Sequence, residues 1–238
     1  MNDRMERIRA LLPDSWRLGA EFDQPDPMDH DGEPVDDFDD GVEMAGRVGV
    51  DLEDFGRYCV PSAMSVVSAM PRLTAARALL ELQVRAGEIV APRAPMRHAA
   101  LALHSYGYSV QPVGLGDWLP TMSEDDFLAS IEIKPAKQPA RRAPSFPEQA
   151  RDAGFSAEAI ETGLEAYRKR VRARPTLADF LASEAPGRYL VCVATPDDPL
   201  LSHALGVIDG HVLAGDEAGA PTYGNHPLLE IVRVESKE

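Results

Sequence analysis

Cysteine is scarce in this chain: only Cys59 and Cys192 occur in 238 residues. Two thiols cannot form the framework of a small disulfide-stapled fold, so the core must come from apolar burial, and both cysteines are expected to be free. Aromatic residues are also sparse at 6%, which leaves the packing to aliphatic side chains. No apolar run approaches the ~20 residues needed to cross a bilayer, and Met1-Asn2-Asp3-Arg4 opens a mixed helix without a signal-peptide core. A cytoplasmic protein with no membrane partner is expected. A glycine-rich phosphate loop, a serine elbow and a dinucleotide fingerprint are all missing, which removes the common nucleotide and serine-hydrolase readings. His, Cys and carboxylate residues do not cluster at metal-ligand spacing, so neither a metal nor another cofactor is expected. His98 and His104 sit in an Ala- and Leu-rich helical stretch as packing or surface residues, and His30 lies in an acidic segment.

Basic clusters are nearly absent too. Arg168, Lys169, Arg170, Arg172 and Arg174 form the one dense stretch, and its helical setting reads as a solvated face. Nucleic acid is therefore not an expected partner, since phosphate contacts need clustered Lys and Arg on a binding surface. What the chain has instead is localised acidity. Its net charge is -15, and residues 21 to 54 hold fourteen of the 39 acids against one of the 24 bases, so that segment carries -13 and the rest of the chain -2. Rich in Pro and Asp with few apolar anchors, it reads as a mobile acidic segment after a short helix at residues 3 to 11. The domain division that follows is 1–54 for this N-terminal part and 55–238 for a single globular domain.

Within that domain the spacing predicts a helix from about Val60, a break near Pro71 and a second helix ended by Gly87. A third helix spans Ala94 to Tyr106, and a short strand spans Tyr108 to Val113. Residues 117 to 175 read as an insertion containing a Pro-, Lys- and Arg-rich linker, Lys134 to Pro147, and a helix from Ser156 to Arg172. Thr176-Leu177-Ala178-Asp179 opens another helix with a capping-box-like pattern. After Pro186 the character changes to β-rich runs at Tyr189 to Val193, Ser202 to Ile208, His211 to Ala214 and Leu229 to Val234. Helices first and an antiparallel sheet last indicate an α+β fold, with N-terminal helices packed on a C-terminal antiparallel sheet.

Two short stretches carry the chemistry. In Tyr58-Cys59-Val60-Pro61, Pro61 suits the first helical turn, where its missing N–H costs nothing, and Cys59 is placed just ahead of the helix. The positive end of the helix dipole there favours thiolate over thiol. Asp209-Gly210 is a strong two-residue hairpin signal, and if Ile208 pairs with His211, then His203 falls opposite Asp216 on the same sheet face. Opposed side chains have Cβ atoms roughly 5 Å apart, so a carboxylate at 216 could orient the imidazole. The same counting puts Leu205, Val207, Val212 and Ala214 on that face, sends His211 to the other, and leaves Asp209 at the turn. Cys192, amid Leu190, Val191 and Val193, reads as a core residue.

These stretches, with Tyr106-Gly107-Tyr108, Thr176 to Leu181, Gly187 to Val191 and His203 to Gly210, give a chain that resembles papain-like cysteine peptidase-fold proteins, especially the small ones of phages and bacteria. The resemblance spans roughly residues 55 to 217, interrupted by the 117–175 insertion. It implies a papain-like fold, a Cys59 nucleophile, a His203 base and an Asp216 orienting group. The implied activity is hydrolysis or acyl transfer on a peptide or protein substrate. The family pattern has a glutamine oxyanion donor shortly before the cysteine, where this chain has Glu53, and an acidic group nearer the hairpin turn, where it has Ala214. Those departures motivate a second reading, a catalytically silent papain-like scaffold that binds a protein partner through its acidic segment.

Overall fold

The structure, a computed structural model, describes residues 51–56, 58–85, 96–114, 121–131, 146–183, 185–214 and 223–237. The expected helix at residues 3 to 11 and all but the last four residues of the acidic segment lie outside the described residues. Helices come first: α1 Leu52–Gly56, α2 Cys59–Ser68, α3 Arg72–Arg85 and α4 Met96–Ser105, followed by strand β1 Tyr108–Pro112. Helices α5 Glu124–Ser130, α6 Phe146–Asp152, α7 Ala157–Arg172 and α8 Leu177–Ser183 then lead into strands β2 Arg188–Ala194, β3 Ser202–Ile208, β4 His211–Ala214 and β5 Leu228–Ser236. This is an α+β architecture, and the five strands among the described residues form one open antiparallel sheet in the order β1-β5-β2-β3-β4. None of the described helices is long and apolar enough to cross a membrane.

β2 is apolar without alternation because it lies mid-sheet with both faces covered. Its even positions Leu190 and Cys192 join Ala204, Ile208, Val232 and Val234 against α2, α3 and α4. Its odd positions Tyr189, Val191 and Val193 join Leu205, Val207, Val212 and Ile231 against Leu177 and Phe180 of α8. The expected hairpin is present: Ile208 pairs with His211, Val207 with Val212, Gly206 with Leu213 and Leu205 with Ala214. Asp209 and Gly210 take φ of 48° and 79° at its turn, the paired left-handed conformation that two-residue hairpins require.

α2 is the central helix, buried from Val60 to Ser68. Its serines are satisfied locally: Ser62 Oγ donates to Gly56 O, Ser65 Oγ to Met70 O and Ser68 Oγ to Met64 O, at 3.2, 2.8 and 2.7 Å. Ala69 ends the helix at φ 61°, just before the break expected at Pro71, and α3 begins at Arg72. The helix sits very close to β3. A Cβ on Gly206 would stand 2.6 Å from Val66 Cβ and 3.2 Å from Ala63 O, so only glycine lets α2 approach there.

The segment between β1 and β2 is anchored at several points. Ser123 caps α5 and Ser156 caps α7, each accepting a backbone N–H three residues on at 3.1 Å. At α8, Thr176 N and Oγ1 both donate to Asp179 Oδ2 at 2.8 Å while Asp179 N donates to Thr176 Oγ1 at 3.3 Å, a reciprocal box with Asp in place of Glu. Of the basic stretch, Lys169, Arg170 and Arg172 are exposed, and Arg168 meets Glu161 and Glu165. Arg174 differs, turning inward to donate to the carbonyls of Leu228 and Leu229 at 3.3 and 3.1 Å.

Candidate active site

Cys59 is the first residue of α2, one position further into the helix than its spacing from Pro61 suggests, with Tyr58 as the extended residue before it. The first intrahelical bond, Ser62 N to Tyr58 O at 3.1 Å, leaves the Cys59 and Val60 amides without an intrahelical acceptor, and Pro61 has none to satisfy. Cys59 is partly accessible, in contrast to the fully buried helix that follows it.

His203 is the second residue of β3, half-buried, on the face shared with Leu205 and Val207. Cys59 lies on the opposite, helix-covered side. The two meet at the strand's edge, for a reason contained in the ladder. In an antiparallel hairpin, alternate residues exchange bonds with the partner strand. Starting from Ile208 opposite His211 and Gly206 opposite Leu213, the next amide directed to that side is Ala204, past the last described pair with β4. The Ala204 N–H is hydrogen-bonded to the Cys59 sulfur, and the His203 ring reaches the same sulfur. Burial alone pushes the Cys59 thiol up. The bonds from His203, Ala204 N–H and its own N–H, together with the charge of His203, outweigh burial and hold it below the ordinary thiol value.

Behind His203 lies an aromatic stack. Tyr223 is parallel to the imidazole, with ring centroids 5.2 Å apart and an interplanar angle of 5°. His226 packs on Tyr223 at 5.1 Å and 60°. Burial, then the charge of His203, lowers the His226 pKa, opposed by Asp197 and a bond to the Tyr223 backbone.

Cys192 packs on the apolar core, as its setting amid Leu190, Val191 and Val193 suggests. It is the one position of β2 that is only partly buried, it stands opposite Ala204 in β3, and it shares its cluster with Cys59. Its thiol is pushed up to about 12, by burial first and then by the Glu230 carboxylate opposite it on β5, the reverse of the shift at Cys59. The β2–β5 register slips between Cys192 and Val193, and the bulged carbonyls are those that Arg174 holds. Glu230 is itself raised by burial and meets Arg97 at 3.2 Å.

Asp216 lies outside the described residues. Glu53 is solvent-exposed on α1. His211 is exposed at the start of β4, on the side of the hairpin away from His203, and His98 is buried in α4. No group of His, Cys, Asp and Glu suited to a metal ion occurs among the described residues. Thus Cys59 and His203 come together, while Tyr223 and the placement of Cys192 beside Ala204 were missed by sequence reasoning. The β2–β3 connection Thr195-Pro196-Asp197-Asp198-Pro199-Leu200-Leu201 has no short-turn signature, so the register that places Cys192 beside Ala204 could not be counted.

Fold and site together define an α+β protein with an open antiparallel sheet and a thiol–imidazole pair at one strand edge. Comparison with protein-family models, with curated proteins and with solved structures gave no significant match.

Proposed function

We propose that the chain is a cysteine hydrolase of papain-like arrangement, acting on an amide, isopeptide or thioester carbonyl of a peptide or protein substrate. The observation that carries this reading is the Cys59 thiol at a helix start, hydrogen-bonded to His203 and held below its ordinary value. In the proposed reaction Cys59 sulfur attacks the carbonyl carbon and His203 gives its proton to the leaving group. His203 then takes a proton from water, whose oxygen displaces Cys59 from the acyl-enzyme. The backbone amides of Cys59 and Val60 are the nearest candidates for the developing oxyanion, since neither has an intrahelical acceptor. Asp216 remains the proposed orienting carboxylate, at the position opposite His203 if the observed β3–β4 register continues.

A second reading is favoured by Glu53, an exposed carboxylate that cannot donate when ionised where the resembled family has a glutamine. On that reading the scaffold is silent and recognises a protein partner through residues 21–54. One experiment separates the two: the rate of Cys59 alkylation by iodoacetamide as a function of pH, with and without His203→Ala. The hydrolase reading expects a thiol that titrates below the ordinary value and moves up toward it in the variant. A Cys59 that titrates as an ordinary thiol in both proteins would sink the hydrolase and leave the scaffold.

A further inference from the structure

The catalytic pair needs His203 held at one angle and kept charged, and the described residues supply a device for both. The turn that carries Tyr223 is tied to the start of α8: Leu177 N donates to His226 O and Ala178 N to Gly224 O, each at 3.0 Å. Thr176 bridges to Pro227 next to that turn, and the Thr176–Asp179 box fixes the helix start that supplies those amides. Inside the turn, His226 N donates to Tyr223 O at 3.0 Å. Tyr223 is therefore set by backbone bonds from a neighbouring element, and its side chain is buried against the α8 side of the sheet.

The orientation of the ring then matters. Planes within 5° and centroids 5.2 Å apart describe an offset stack, which fixes the tilt of the imidazole about its own bonds. An aromatic face carries negative potential, so the same contact favours an imidazolium over a neutral imidazole. His226 also packs on Tyr223, tilted by 60°. We propose that Tyr223 is the positioning residue of His203, holding its ring toward Cys59 and favouring the imidazolium that pairs with the thiolate.

The inference rests on the Cys59–His203 reading, and the test separates the two. Cys59 alkylation by iodoacetamide is followed against pH in the full chain carrying Tyr223→Leu, Tyr223→Phe or His203→Ala. Removing the ring face in Tyr223→Leu should move the acid limb of the profile upward and slow alkylation at neutral pH. Tyr223→Phe keeps the face and should match wild type, a rescue that a role of the hydroxyl would not give. Should Tyr223→Leu unfold, seen as equal reactivity of Cys59 and Cys192, Tyr223→Met keeps an apolar side chain of similar length without a ring and carries the same expectation. If His203→Ala moves the profile and neither Tyr223→Leu nor Tyr223→Met does, the positioning role is wrong and the pair stands. A Tyr223→Phe profile as displaced as that of Tyr223→Leu would assign the effect to the hydroxyl and overturn the stack. If His203→Ala leaves the profile unchanged, the pair and the positioning role fall together.

Discussion

Two thiols of one chain, both partly accessible and both packed on the same cluster, have their pKa values moved in opposite directions because their surroundings differ. Cys59 has an imidazole, a backbone amide and a helix start facing it, whereas Cys192 has burial and the Glu230 carboxylate. Only Cys59 should therefore react with a neutral alkylating agent at neutral pH, with one label per chain by intact mass and its position by peptide mapping. Cys192 should become reactive only near pH 12 or after unfolding. Glu230→Gln removes the facing charge and should bring the pH at which Cys192 reacts downward, leaving Cys59 unchanged. Two labels on the folded protein at neutral pH would show that burial and Glu230 do not suppress Cys192. The position of Cys59 at a helix start was legible from Pro61 and the helix that follows it. The pairing of Cys192 with Ala204 was not, because a continuous apolar strand gives no periodicity from which to read a face.

At the scale of elements, the Asp209-Gly210 hairpin could be counted residue by residue because a two-residue turn leaves no slack in register. The pairing of β1 with β5 could not, since more than a hundred residues separate Tyr108 from its partner Ser236 and no local signal links them. Nor did the sequence mark the contact that brings α2 down onto β3. Gly206 read only as a residue within a strand, where glycine is usually a weakness. Its lack of a side chain is what allows Val66 and Ala63, on the helix that begins with Cys59, to sit over the strand. Gly206→Ala should cost about 1–3 kcal/mol in urea denaturation by forcing helix and strand apart. It should also weaken the Cys59 bond to Ala204, raising the pH at which Cys59 alkylates. A variant as stable as wild type with an unshifted thiol would show that the close approach is not needed to set the site.

Across the molecule, the -15 charge is mostly the property of one segment, and the described body is held by a few specific polar clasps. Around Glu124 one such clasp joins α4, β1, α5 and the C-terminal end of the sheet. Its carboxylate accepts from Ser109 Oγ at 2.7 Å, Val110 N at 3.1 Å and His104 Nδ1 at 3.1 Å, with Lys237 Nζ at 3.7 Å. Burial pushes Glu124 up, but the bonds from Ser109, Val110 and His104 and the Lys237 charge outweigh it, so its folded pKa lies below the ordinary carboxylate value. An acid whose folded pKa is depressed binds protons less readily folded than unfolded. Its contribution is therefore complete above the unfolded carboxylate value of about 4.3 and is lost as pH falls through the lower folded value. Glu124→Gln should lower stability by about 1–2 kcal/mol at neutral pH, a cost in the range of hydrogen bonds to a charged group. Because a protonated Glu124 and the neutral amide of the variant both lack the charge, wild type and Glu124→Gln should converge in urea midpoint as pH is taken below that range. A gap that stayed constant on acidification would locate the loss in side-chain geometry rather than charge, and would remove the clasp from any account of acid unfolding.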